Sequence, residues 1–128
     1  MADQDLGRFL VIYPDGKLSW VETDRVRMCS NFRKAIGCNW LENVYTVLPD
    51  IVIIVDEVGK VKQDPQPLNP IASRLYAGSM YGDYIHGPAI VAAIHMYQGE
   101  YDWVPLTVRE LFKLQHFLQI DLKEANNG

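Results

Sequence analysis

Between Leu75 and Gly87 the chain reads LYAGSMYGDYIHG. Tyr76, Tyr81 and Tyr84 stand there beside Asp83 and His86. An Asp–His pair at this spacing can orient a general base. Tyrosine rings are rigid and amphipathic, so they suit stacking on a nucleobase or anchoring a protein interface. Upstream, Arg74 supplies a partner for phosphate and Asn69 a hydrogen-bonding group for a sugar hydroxyl. The candidate binding residues are therefore Asn69, Arg74, Tyr76, Tyr81, Asp83, Tyr84 and His86. Against this stands a purely architectural reading, in which the tyrosines cap the end of the core and Gly82 and Gly87 serve tight turns. The two readings weigh about equally, because loops on rigid scaffolds carry function disproportionately.

Catalysis is the weaker use of the same loop. A hydrolase built on Asp83 and His86 needs a nucleophile, and the sequence offers no GxSxG elbow and no cysteine nearby. Ser79 lies in the loop without a recognisable context. Nor do Gly78, Gly82 and Gly87 form a phosphate loop. Such loops place glycines between a strand and a following helix, whereas here a helix precedes the glycines and a strand follows. Asp83 and His86 lack further ligands at usable spacing, so no metal is expected, and no cofactor.

The other histidines read blandly. His95 falls in an apolar run and is expected as a core or edge histidine. His116 falls on the outward side of the last helix. Arg25, Arg27, Arg33 and Lys34 form the one cationic cluster, and a solvated helix face explains it better than an anion site. Cys29 and Cys38 have no CxxC spacing and fit a reducing compartment as small hydrophobes.

The formal net charge of -4 leaves no broad basic field for a phosphate backbone, so nucleic acid is disfavoured as a partner. The opening MADQDLGRFLVIY is acidic and its apolar run short, unlike a signal peptide. No apolar run approaches the length that spans a bilayer, so no membrane partner is expected. A cytoplasmic protein follows as the expectation.

The positioning elements follow from period and punctuation. RFLVIY, the turn PDGK and LSWVE predict a hairpin. Asp24 is placed to cap a helix whose apolar residues are Met28, Cys29, Phe32, Ala35 and Ile36, and Gly37 to end it. A strand is expected at about 42–48. IVIIVD at 51–56 lacks polar alternation, which predicts a central strand covered on both faces. A tight turn at 56–60 and a proline-rich loop at 63–70 follow. Asn69-Pro70 signals a helix start, with Gly78 as its end. AIVAAIHM at 89–96 is a second buried strand, and QGEYDWVP at 98–105 a turn region. Thr107 with Glu110 forms a capping box opening a helix over 108–119, with Leu111, Leu114, Phe117 and Leu118 inward.

The order β-β-α-β-β-α-β-α predicts an α+β fold: a single domain with a mainly antiparallel sheet of about five strands and three helices. At 128 residues one core is expected, over 8–120, with a flexible N-terminus at 1–7 and a flexible tail at 121–128.

The motifs IVIIVDEVGKVKQDPQPLNPIASRLY and YIHGPAIVAA carry a resemblance. From about Phe9 to Ala93 the chain resembles a family of small phage- and mobile-element-associated domains known as a domain of unknown function. The matching residues are Asp56, Glu57, Gly59, Lys60, Leu68, Asn69, Leu75, Tyr76, Ile85 and Gly87. Cys38 departs from the pattern where a second glycine is usual, and Pro88 where an acid is usual. The resemblance implies a setting of phages, plasmids and their bacterial hosts, and a protein that acts by binding. The expected function is then non-enzymatic counter-defence, by sequestering a nucleotide-derived host signal on segment 69–87. The alternatives are an interaction module that binds a host protein, and a small homo-oligomer.

Overall fold

The computed structural model describes residues 6–58, 66–122 and 126–127. Within them the chain forms one α+β domain around a sheet. The strands are β1 (Gly7–Ile12), β2 (Leu18–Thr23), β3 (Leu41–Tyr45), β4 (Ile51–Asp56), β5 (Ala89–Tyr97), β6 (Glu100–Val104) and the short β7 (Asn126–Asn127). The helices are α1 (Met28–Ile36), α2 (Pro70–Leu75) and α3 (Val108–Leu118), with a 3-10 turn at Ala77–Tyr81. The sheet order is β3-β4-β5-β1-β2-β7, and β6 pairs with β5. Every pairing among β1 to β6 is antiparallel. β7 lies parallel to β2.

Alternation along the strands explains the uninterrupted apolar runs. Leu10, Ile12, Ile51, Ile53, Val55 and Val91 face α2 and α3, in one core with Ala72, Leu75, Leu114 and Leu118. Phe9, Val11, Val52, Ile54, Ile90 and Ala92 face α1, in a second core with Met28, Phe32 and Ile36. A sheet covered on both faces has no polar side to show, so β4 is buried throughout. Full burial of each such aliphatic side chain contributes about 1.5–3 kcal/mol. Phe32 meets Phe9 edge-on at 4.9 Å between ring centroids and Trp103 stacked at 5.9 Å.

Several local expectations shift. QGEYDWVP is a hairpin, not a turn region, because Gln98 and Gly99 adopt positive φ and let β6 return along β5. That hairpin carries the end of β5 beyond the covered part of the sheet, so His95 is exposed opposite Asp102 instead of buried. α1 starts at Met28, later than an Asp24 cap implies; the Asp24 carboxylate instead accepts from the Arg27 backbone N–H at 2.8 Å. Cys29 points outward. α3 carries the full Thr107–Glu110 capping box, with Leu114 and Leu118 buried, but Phe117 is exposed. β3 ends at Tyr45, ahead of the expected 48, since the Thr46 hydroxyl donates to the Ile51 carbonyl at 2.7 Å, accepts from the Leu48 N–H at 3.1 Å and turns the chain there. Of the expected turn at 56–60, Gly59 and Lys60 lie outside the described residues, as do positions 63–65 of the proline-rich loop. At the other end Leu122 is buried, ahead of the Asn126–Asn127 pairing with β2.

Candidate functional site

The loop between α2 and β5 is built on Asn69. Its side chain accepts from the Ala72 N–H at 3.1 Å, capping α2. Its amide nitrogen donates to the carbonyls of Ile12 and Gly87, each at 2.9 Å. One buried residue thus ties β1, α2 and the start of β5 together. Asn69 is 0% exposed, so its amide is occupied in the frame and has no access to a ligand.

Ser73 works beside it. Its hydroxyl accepts from the Ile85 N–H at 2.8 Å, while the Asn69 N–H donates to the Ile85 carbonyl at 2.8 Å. Ile85 is thereby held in the core with Leu75. His86 forms a bridge with Leu68, and its Nδ1 donates to the Gln66 carbonyl at 3.0 Å. Gly87, at φ +83°, donates to the Pro67 carbonyl at 2.8 Å. A side chain there would meet Gln66 Cβ at 3.1 Å, so both conformation and space call for glycine.

Above this frame the chain makes a closed knob. α2 ends at Leu75, capped by Tyr76 and not by Gly78, because the next residues wind into the 3-10 turn. The Tyr76 phenol donates to Asp83 Oδ2 at 2.8 Å. The Ser79 hydroxyl donates to the Tyr76 carbonyl at 2.7 Å. Gly82, at φ +81°, ends the turn and donates to the Ser79 carbonyl at 3.1 Å. The outward side chains are Met80 at 76% exposure, Tyr81 at 89% and Tyr84 at 47%.

The structure therefore separates the seven sequence candidates. Tyr76 and Asp83 come together and brace the knob. Tyr81 and Tyr84 project from it. Asn69 lies beneath it in the frame. His86 is anchored to the chain before α2. Arg74 turns the other way and donates to the Leu118 carbonyl at the end of α3, at 3.3 Å. Among the described residues no group of three or more His, Cys, Asp or Glu is arranged to hold a metal. No helix among them is long and apolar enough to cross a membrane.

The family model for a domain of unknown function, DUF3846, matches residues 7–116. The chain belongs to this family. The match runs from the first residue of β1 into α3, so it takes in the second core, most of the first and the whole loop of the DUF3846 domain. No curated protein matches the chain. Among solved structures it is similar to one titled "Crystal structure of small RNA methyltransferase HEN1", at a TM-score of 0.62 and 12% identity. That likeness covers 89% of this chain and 16% of the other, and at such identity it concerns the fold alone.

Sequence reasoning missed one arrangement in this DUF3846 chain. The cationic cluster is not one face. Arg25 pairs with Asp102 at 2.9 Å and Arg27 with Asp24 at 3.7 Å. Arg33 and Lys34 instead line a concavity of about 410 Å³ together with Trp40. The signal was the exposed aromatic just past Gly37, which becomes meaningful only once the helix end is placed against β3 and β4.

Proposed function

We propose that this protein acts by binding another protein, with the Ala77–Tyr84 knob as its contact and no catalytic step. The observation that carries this reading is the braced, outward pair Tyr81 and Tyr84 beside Met80. Interface energy concentrates in a few aromatic anchors, and a loop already held in shape loses little entropy on docking. Methionine adds a soft apolar contact that adapts to a partner.

The shape favours a protein over the nucleotide-derived signal expected at segment 69–87. Small ligands bind in concavities that enclose them, whereas Tyr81 projects and Asn69 is spent on three hydrogen bonds of the frame. The Tyr76 phenol occupies Oδ2 of Asp83, the carboxylate that the hydrolase reading would use to orient His86. The resemblance to phage- and mobile-element-associated domains makes a bacterial host protein the expected partner and counter-defence the expected role, in the host cytoplasm.

Site-specific photocrosslinking tests the reading. A benzophenone amino acid at position 81 should capture a discrete host protein, and one at the exposed position 22 of β2 should not. No adduct from position 81, or the same adducts from both, would overturn it.

A further inference from the structure

We infer that the concavity at the C-terminal end of α1 is a second, separate binding site, for a mononucleotide-like ligand: a flat aromatic base carrying phosphate. The site stands on observations independent of the tyrosine knob. Its volume of about 410 Å³ falls within the range of small-molecule sites.

Three elements build it. α1 contributes Arg33 and Lys34 from its last turn, and the segment after Gly37 contributes Asn39 and Trp40. The end of β4 contributes Asp56, and Val58 follows. Gly37 adopts φ +78°, and among the described residues a side chain on it would meet nothing within 4 Å.

The helix end does not itself consume the two cations. The Arg33 carbonyl accepts from the Gly37 N–H at 2.8 Å and the Cys38 N–H at 3.0 Å, so this carbonyl is satisfied by backbone. Among the described residues neither Arg33 nor Lys34 pairs with a carboxylate, in contrast to Arg25 and Arg27. Two adjacent cations without acidic partners suit a phosphate, with the guanidinium able to bind it in two-pronged fashion.

Trp40 supplies the complementary half. It lines the same concavity and is 66% exposed, so its indole ring is accessible to a ligand there. Its backbone is fixed, since the Trp40 carbonyl accepts from the Glu57 N–H at 3.0 Å and from the Cys38 thiol at 3.5 Å. An indole face stacks on any nucleobase. Asp56, which accepts from the Val58 N–H at 3.1 Å, sets a negative boundary on one wall. The chain's net charge of -4 favours a small anion over a long nucleic acid.

Titration calorimetry on the intact chain tests this, with AMP, ADP, adenosine, inorganic phosphate and a short single-stranded oligonucleotide as separate probes. AMP or ADP should saturate one site, more tightly than adenosine or phosphate alone. Arg33→Gln with Lys34→Gln and, separately, Trp40→Ala should each weaken binding about tenfold or more. Both are changes at exposed positions, and circular dichroism should show the fold retained. The inference is overturned if neither nucleotide binds at millimolar concentration or if the variants bind as the parent does. It is overturned equally if phosphate alone matches AMP, or if the oligonucleotide binds far more tightly than either mononucleotide. None of these results bears on the knob, whose residues are unchanged in these variants.

Discussion

The Tyr76 phenol and the Asp83 carboxylate meet at 2.8 Å, across the five residues of the 3-10 turn and Gly82. Together with the Asp83 N–H, which donates to the Gly78 carbonyl at 3.1 Å, this bond closes the base of the knob that presents Tyr81. Both residues are sequence candidates for ligand binding, and their joint role is to fix shape. Removing the hydroxyl separates bracing from stability. Tyr76→Phe should cost less than about 1 kcal/mol, because the bond is exposed to water. It should nevertheless raise amide hydrogen exchange across 77–83, and loosen any partner contact in step. Unchanged exchange there would show that the turn holds itself.

Asn69 is expected to matter far more for folding than for contact. Asn69→Ala removes a buried donor from the Ile12 and Gly87 carbonyls and uncaps α2. A loss of about 3 kcal/mol is expected in a denaturant titration. Asn69→Asp should do no better, since a carboxylate cannot donate to either carbonyl. A loss well under 1 kcal/mol would mean that the clamp is dispensable.

The two loop glycines should differ in their tolerance. Gly82 has positive φ and, among the described residues, nothing within 4 Å of an added Cβ, so Gly82→Ala should cost about 1 kcal/mol from backbone strain alone. Gly87 has the same backbone problem and Gln66 Cβ at 3.1 Å. Gly87→Ala should therefore be clearly the more destabilising of the two by thermal melting. The reverse order would contradict the packing described at β5.

At the far end of the domain, Thr107→Ala should cost about 1 kcal/mol by breaking the capping box. Glu110→Ala should cost less, because it leaves the Thr107 hydroxyl on the Glu110 N–H. Melting temperatures of the two variants check the order.

Much of the frame was legible because local and global signals agree. The Asn69-Pro70 start, the Gly37 end and the Thr107–Glu110 box each announce a helix terminus by local chemistry, two through side-chain caps and one through glycine's freedom at positive φ. IVIIVD announced a central strand because both of its faces are covered. β6 was hidden, since EYDWV carries charge on its exposed side and follows two residues whose positive φ the sequence does not advertise. The site was legible as a place but not as a set of roles. Asn69 and Tyr84 are both polar loop residues in sequence, and only the position of the Ile12 carbonyl decides that the first is inside and the second out. Trp40 and Arg33 were invisible as a pair for the same reason, because a helix end must be seated on β4 before they share a wall.

The most direct test of the central claim is side-by-side affinity capture from a bacterial host lysate. The parent chain, Tyr81→Ala with Tyr84→Ala, and Arg33→Gln with Lys34→Gln should be compared at matched folded concentration. The account predicts one host protein retained by the parent and by the Arg33–Lys34 variant, and lost about tenfold or more from the tyrosine variant. A partner retained equally by the tyrosine variant, or no partner retained by the parent, would contradict it.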